Sequence, residues 1–150
     1  MRKIAILTLM FISTLVINCK HKEVNKTELL LNTIETKFDI SLDDYKYLCI
    51  INDGGCLPCN RIYSKALTEA SKSNDFLIII AEIGSELDLR EFDYDAPNIY
   101  HTYDDILGES QMKAGSYFGE LNNGECESLD YIDPERSESI MTEIQMILEN

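Results

Sequence analysis

The stretch "NDGGCLPCNRIYSKA" (residues 52–66) places Cys56 and Cys59 three positions apart, with Leu57 and Pro58 between them. Two sulfurs at that spacing can form a redox couple, supply two metal ligands, or close a small structural disulfide. A tetrahedral zinc site needs four ligands. Beyond the pair the chain offers only His21, His101, Cys49 and Cys126, with no second C-x-x-C and no H-x3-H. No zinc site is therefore assigned, while a soft ion carried by the two thiolates alone stays open as an alternative.

The other chemistry-bearing residues have plainer readings. Cys49 sits in an apolar run and reads as a small core residue. Cys126 follows a turn and reads as a half-buried strand position, and His101 as a surface or satisfied core histidine. Glu82, directly after an apolar run, is a candidate proton acceptor for the cysteines. There is no phosphate-binding glycine loop, no G-x-S-x-G elbow and no metalloprotease helix, so no cofactor is called for. A peroxidatic cysteine is disfavoured because Asp53 stands where Thr or Ser would precede Cys56 by three.

The elements around the pair decide what it can do. "YKYLCII" (45–51) is short, apolar and rich in aromatic and β-branched residues, and predicts a strand covered on both faces. "NDGG" ends it, and Pro58 suits a first helical turn, where a missing N–H has no helical partner to lose. Cys59, Tyr63, Ala66 and Ala70 then share one helix face, flanked by Ile62 and Leu67. "FLIIIA" (76–81) predicts a second buried strand, which completes a βαβ unit with a right-handed crossover expected. Cys56 thus falls at a helix N-terminus, where unpaired N–H groups and the positive dipole end favour a thiolate, the attacking species in disulfide exchange. Cys59, one turn further in, is expected to be shielded.

The flanks complete one domain. Upstream, Asn25 and Glu28 form a capping box for a helix with Leu30, Ile34 and Phe38 on one face. Downstream, "ELDLREF" (86–92) suits a short helix and "NIYHTY" a strand. Asn123-Gly124 between "SYFGEL" and "ECESLDYI" is a hairpin signal. Asp133 and Pro134 open a last helix, whose buried stripe is Ile140, Met141, Ile144, Ile147 and Leu148. The net charge of −14 disfavours nucleic acid and anionic headgroups as partners. A hydrophobic fraction of 45% over 150 residues fits a single globular domain.

At the start, Arg2 and Lys3 precede an apolar run from Ile4 to Ile17, then Asn18 and Cys19. This resembles the bacterial lipoprotein signal, which implies cleavage after residue 18 and lipidation of Cys19; Asn18 departs from the usual small residue, and ordinary secretion and an uncleaved anchor are the alternatives. The expected organisation is a signal peptide over 1–18, a tether over 19–26 and a folded domain over 27–150. Export also permits disulfides to persist.

The order strand, Cys-x-x-Cys helix, strand, hairpin, helix resembles the thioredoxin family over residues 40 to 150. It looks closest to the exported, membrane-attached members, whose extra strand and short helix "NIYHTYDDILGESQMK" would supply. The resemblance implies a three-layer α/β/α fold with a central mixed sheet and a C-terminal β-hairpin plus helix. It implies thiol-disulfide oxidoreductase activity, with Cys56 attacking, Cys59 resolving, and Leu57 and Pro58 supporting them. It also implies a lipid-anchored protein facing the periplasm, whose partners are protein thiols and disulfides of the cell envelope. The alternative is a non-catalytic binding lipoprotein in which the same pair is a structural disulfide. The chain departs from the family at Gly55, where tryptophan is usual, and in having no acid within "YKYLCII". No proline occupies "KAGSYF", where the family has a cis-proline, and Pro97 would replace it only if "NIYHTY" were the hairpin's first strand.

Overall fold

The computed structural model of the chain describes residues 25–54, 56–82 and 95–149. Strand β1 (Tyr47–Asn52) is buried from Leu48 to Asn52, and β2 (Phe76–Ala81) is buried throughout. Residues 47–51 of β1 and the whole of β2 are the unbroken apolar runs that a strand covered on two faces requires. They pair in parallel from Tyr47↔Phe76 to Asn52↔Ala81. β3 (Ile99–Thr102) adds in parallel beside β2, while β4 (Tyr117–Asn122) runs antiparallel to β1 on the other side and β5 (Glu125–Tyr131) antiparallel to β4. The sheet is mixed and five-stranded, in the order β3-β2-β1-β4-β5.

Alternation along the strands divides the core into two layers. Cys49, Ile51, Ile78, Ile80 and Phe118 face α2 (Leu57–Ala70) and α4 (Ser137–Leu148), meeting Tyr63, Leu67, Ile140 and Ile144. Leu48, Ile50, Leu77 and Ile79 face the opposite way, onto Leu30, Leu31 and Ile34 of α1 (Lys26–Phe38) and Ile106 and Leu107 of the one-turn α3 (Ile106–Glu109). The fold class is α/β, with helices on both faces of the sheet.

Local signals set the ends of these elements. The Asn25 side chain accepts from the N–H of Thr27 (3.1 Å) and of Glu28 (3.4 Å), so α1 opens at Lys26. That is one residue inside the stretch read as tether. Asn123 (φ 51°) and Gly124 (φ 74°) both take the left-handed conformation that a tight two-residue hairpin demands. The last helix departs from expectation: it opens at Ser137, not at Pro134. Asp133 does accept from the N–H of Glu135 (3.0 Å) and Arg136 (2.9 Å), but this closes a separate turn. Arg136 then forks onto the Asp130 carboxylate at 2.8 and 2.6 Å, holding that turn against β5. The expected helix over 86–92 lies outside the described residues.

Helix α4 is attached mainly through Ile140 and Ile144, with 2% and 0% exposure, while Gln145 beside them is exposed. Ile144→Ala should destabilise the chain by about 2–5 kcal/mol and Gln145→Ala by no more than about 0.5, as read by urea unfolding. Equal effects would contradict this attachment.

Candidate functional site

β1 leaves the sheet at Asn52, and four residues later the chain enters α2. Cys56 occupies the N-cap in extended conformation (φ −73°, ψ 105°), and its carbonyl accepts the first helical bond from Asn60 N (2.9 Å). Its Sγ accepts from the Cys59 N–H at 3.4 Å, so a backbone amide of the first turn is aimed at this sulfur. Pro58 lies in that same turn and is exposed. Cys56 and Cys59 form a disulfide with their Cα atoms 5.2 Å apart. Cys56 is half-buried at the rim, whereas Cys59 is 4% exposed and packs under α2 with Tyr63 and Ile51. Cys19, Gly55 and the side chain of Leu57 lie outside the described residues.

A buried polar network fixes this geometry, and sequence reasoning did not single out its members. Asn52, Asn60 and Ser116 are each no more than 2% exposed. The Asn60 side chain donates to the Asn52 carbonyl (2.7 Å) and accepts from the Ser116 hydroxyl (2.7 Å). That hydroxyl in turn accepts from Asn52 N (3.1 Å). The Asn52 side chain donates to the Ala81 carbonyl (3.0 Å) and accepts from Gly54 N (2.8 Å). One cluster thus joins the ends of β1 and β2, the first turn of α2 and the residue before β4. A signal was present in Asn60, a polar residue that follows Cys59 on the inward side of an otherwise apolar helix face.

The segment before β4 closes over the same loop. A Cβ placed on Gly54 would meet the Ala114 Cβ at 3.1 Å, so the two backbones lie close. Gly115 has φ 145°, and a Cβ there would strike the Tyr131 ring at 2.4 Å; both geometry and space call for glycine. Pro97 is not in this segment. It precedes β3, which pairs in parallel with β2 and is no part of the hairpin.

The remaining candidates sit elsewhere. Glu82 and His101, which the sequence did not connect, meet at 3.1 Å beyond β2 and on β3, with His101 edge-on to Tyr103 (4.6 Å between ring centroids). Cys126 is half-buried on β5, where burial pushes its thiol up, and it donates to the Ser128 carbonyl (3.1 Å). Cys49 is fully buried, and burial pushes its thiol up to about 12, despite a hydrogen bond with the Tyr63 hydroxyl that acts the other way. Tyr63 also donates to the Tyr117 carbonyl at 2.8 Å. Among the described residues no cluster of three or more His, Cys, Asp or Glu is placed to hold a metal ion, and no helix is long and apolar enough to cross a membrane.

No protein-family model, curated protein or solved structure matches the chain. The site therefore stands on its own geometry: a disulfide at a helix start, one sulfur at the rim and one beneath, braced by a closed amide–hydroxyl network.

Two outcomes follow. Asn60→Ala and Ser116→Ala should each cost about 1–3 kcal/mol, because each leaves buried partners unsatisfied. The double variant should fall short of the sum by about 0.5–3 kcal/mol, and strict additivity would show that the two do not act as a unit. Cys49 holds its proton in the fold well above the pH at which an unfolded thiol ionises. Its contribution is complete below about pH 8.5 and is lost as pH rises toward the folded value. The urea midpoint should therefore drop between pH 8 and pH 10 more steeply in the native chain than in Cys49→Ser, and parallel curves would refute it.

Proposed function

We propose that the chain is a thiol-disulfide oxidoreductase of thioredoxin-like architecture, with Cys56 as nucleophile and Cys59 as resolving thiol. The observation that carries this reading is the asymmetry of the pair. Cys56 Sγ is at the rim, accepting an amide of the first turn of α2, and Cys59 is enclosed behind it. Amide donors and the positive helix end stabilise a thiolate there. The order of strands around the pair supports the architecture, and the presence of β3 and α3 between β2 and the hairpin supports the likeness to exported members.

In the reduced chain, the Cys56 thiolate attacks a partner disulfide; a Cys56–partner S–S bond forms as the partner's first thiolate leaves. Cys59, its proton lost to the departed partner thiolate, then attacks Cys56 Sγ, forming the intramolecular disulfide and expelling the partner's second thiolate. Counted from the dithiol, whose Cys56 proton had passed to solvent and from there reaches the second thiolate, the chain gives up two electrons and two protons, and the partner gains two thiols. Run backwards, the same steps oxidise a partner dithiol. Membrane anchorage through Cys19, exposure to the periplasm and envelope protein thiols as partners belong to the same proposal, on the strength of residues 1–19.

Reduced protein treated with iodoacetamide at pH 7 should show one sulfur, Cys56, reacting at least about tenfold faster than an ordinary cysteine. Cys59→Ser should trap a mixed disulfide with a cystine peptide, and Cys56→Ser should not. If both sulfurs react equally slowly and loss of the bridge only lowers stability, the pair is a structural staple and this proposal fails.

A further inference from the structure

Pro58, Arg61, Ile62 and Lys65 follow the i, i+3, i+4, i+7 spacing that lines residues along one helix side. All four are exposed, and they run for about 10 Å along the outside of α2, starting between the two cysteines. Ile62, expected to flank the buried stripe, is 48% exposed, one of three large hydrophobic side chains so exposed among the described residues. The charge is equally out of place. The chain has 27 acidic residues against 13 basic ones, and Lys37, Lys46, Lys72 and Arg136 are each paired with a carboxylate of the chain. Among the described residues Arg61 and Lys65 have no such partner. The next exposed position on that side, Glu69, is held by Lys72 at 2.6 Å, so the strip stays cationic.

We infer that this strip docks an acidic segment of the partner protein that exchanges its disulfide or dithiol with Cys56–Cys59, seating an apolar side chain on Ile62 and carboxylates against Arg61 and Lys65. The inference rests on the oxidoreductase reading and names the partner's chemistry. An extended segment lying along the strip passes Pro58 and so brings its sulfur to the rim where Cys56 lies half-buried. Two cations flanking an apolar contact select by sign, and they raise the association rate more than the lifetime of the complex.

The test uses two cystine peptides with the same disulfide-containing centre and one leucine, flanked by glutamates in one and lysines in the other. The reduced full-length chain should reduce the acidic peptide about tenfold faster than the basic one at low ionic strength, and the ratio should shrink as salt is added. Arg61→Glu combined with Lys65→Glu should invert the ratio, and a third, acidic peptide with serine in place of leucine should be reduced more slowly by the native chain but not by Ile62→Ser. Because the ratio compares two substrates of one nucleophile, a change in Cys56 reactivity cancels. A ratio near one in the native chain, or one that charge reversal leaves unmoved while both peptides are reduced, overturns the docking inference. So does binding to phosphatidylglycerol vesicles that disappears on charge reversal, since the strip would then face lipid. Failure to exchange even with hydroxyethyl disulfide, which needs no docking, would instead defeat the oxidoreductase reading.

Discussion

The geometry of this molecule depends on how the end of β1 is satisfied. Asn52 is the last residue of a strand buried from Leu48 onward, and there the chain must leave the ladder without stranding its amide and carbonyl. Asn60 and Ser116 take up both groups, and the Asn52 side chain reaches across to the Ala81 carbonyl of β2. An unsatisfied buried group costs about 1–3 kcal/mol, whereas an exposed ion pair such as Lys46–Asp75 contributes about 0–1. The cluster therefore outweighs the surface ion pairs in deciding where α2 begins. It also explains why a hydroxyl and two amides are kept at this end of a largely apolar core: here the alternative to a polar side chain is a bare backbone.

The chemistry of the sulfurs follows from depth. Four cysteines lie among the described residues, all on or beside the same sheet, yet their surroundings separate them. Cys49 is enclosed by the layer under α2, and burial holds its proton on. Cys126 on β5 is pushed the same way to a lesser degree. Cys59 is buried but linked to Cys56, which alone combines access with an amide directed at its sulfur. Selectivity among the thiols thus needs no special residue type; it needs a helix that begins one residue after the sulfur at the rim.

Much of this was legible in the chain, and what was not has a common cause. β1 and β2 are continuous apolar runs, and Asn123-Gly124 encodes its own turn, so local pattern suffices for them. The Cys56–Cys59 pair was visible from spacing and from Pro58. The bond between Asn60 and Ser116 spans 56 residues, and no local pattern can pair them. The start of α4 failed for a related reason. Asp133 does bind two amides, but the turn they cap closes before the helix, which opens at Ser137 after Arg136 has reached back to Asp130 on β5. Ile62 failed differently. Its spacing admits it to the flank of the buried stripe, and only the placement of α4 and the sheet leaves that flank uncovered.

The exposed flank changes how the net charge should be understood. A value of −14 describes the molecule at long range, where it keeps copies apart and resists anionic surfaces. Contact is decided at shorter range, because at physiological ionic strength the screening length is about 8 Å, less than the length of the strip from Pro58 to Lys65. A partner segment on α2 therefore feels Arg61 and Lys65 far more than the carboxylates across the sheet. The overall charge and the strip can act in opposite senses without conflict: the first discourages indiscriminate association, and the second favours an acidic segment that arrives beside the half-buried Cys56 sulfur. That division is available only because the sulfur and the cations share one element: Cys56 caps α2, and the same helix presents Arg61 and Lys65.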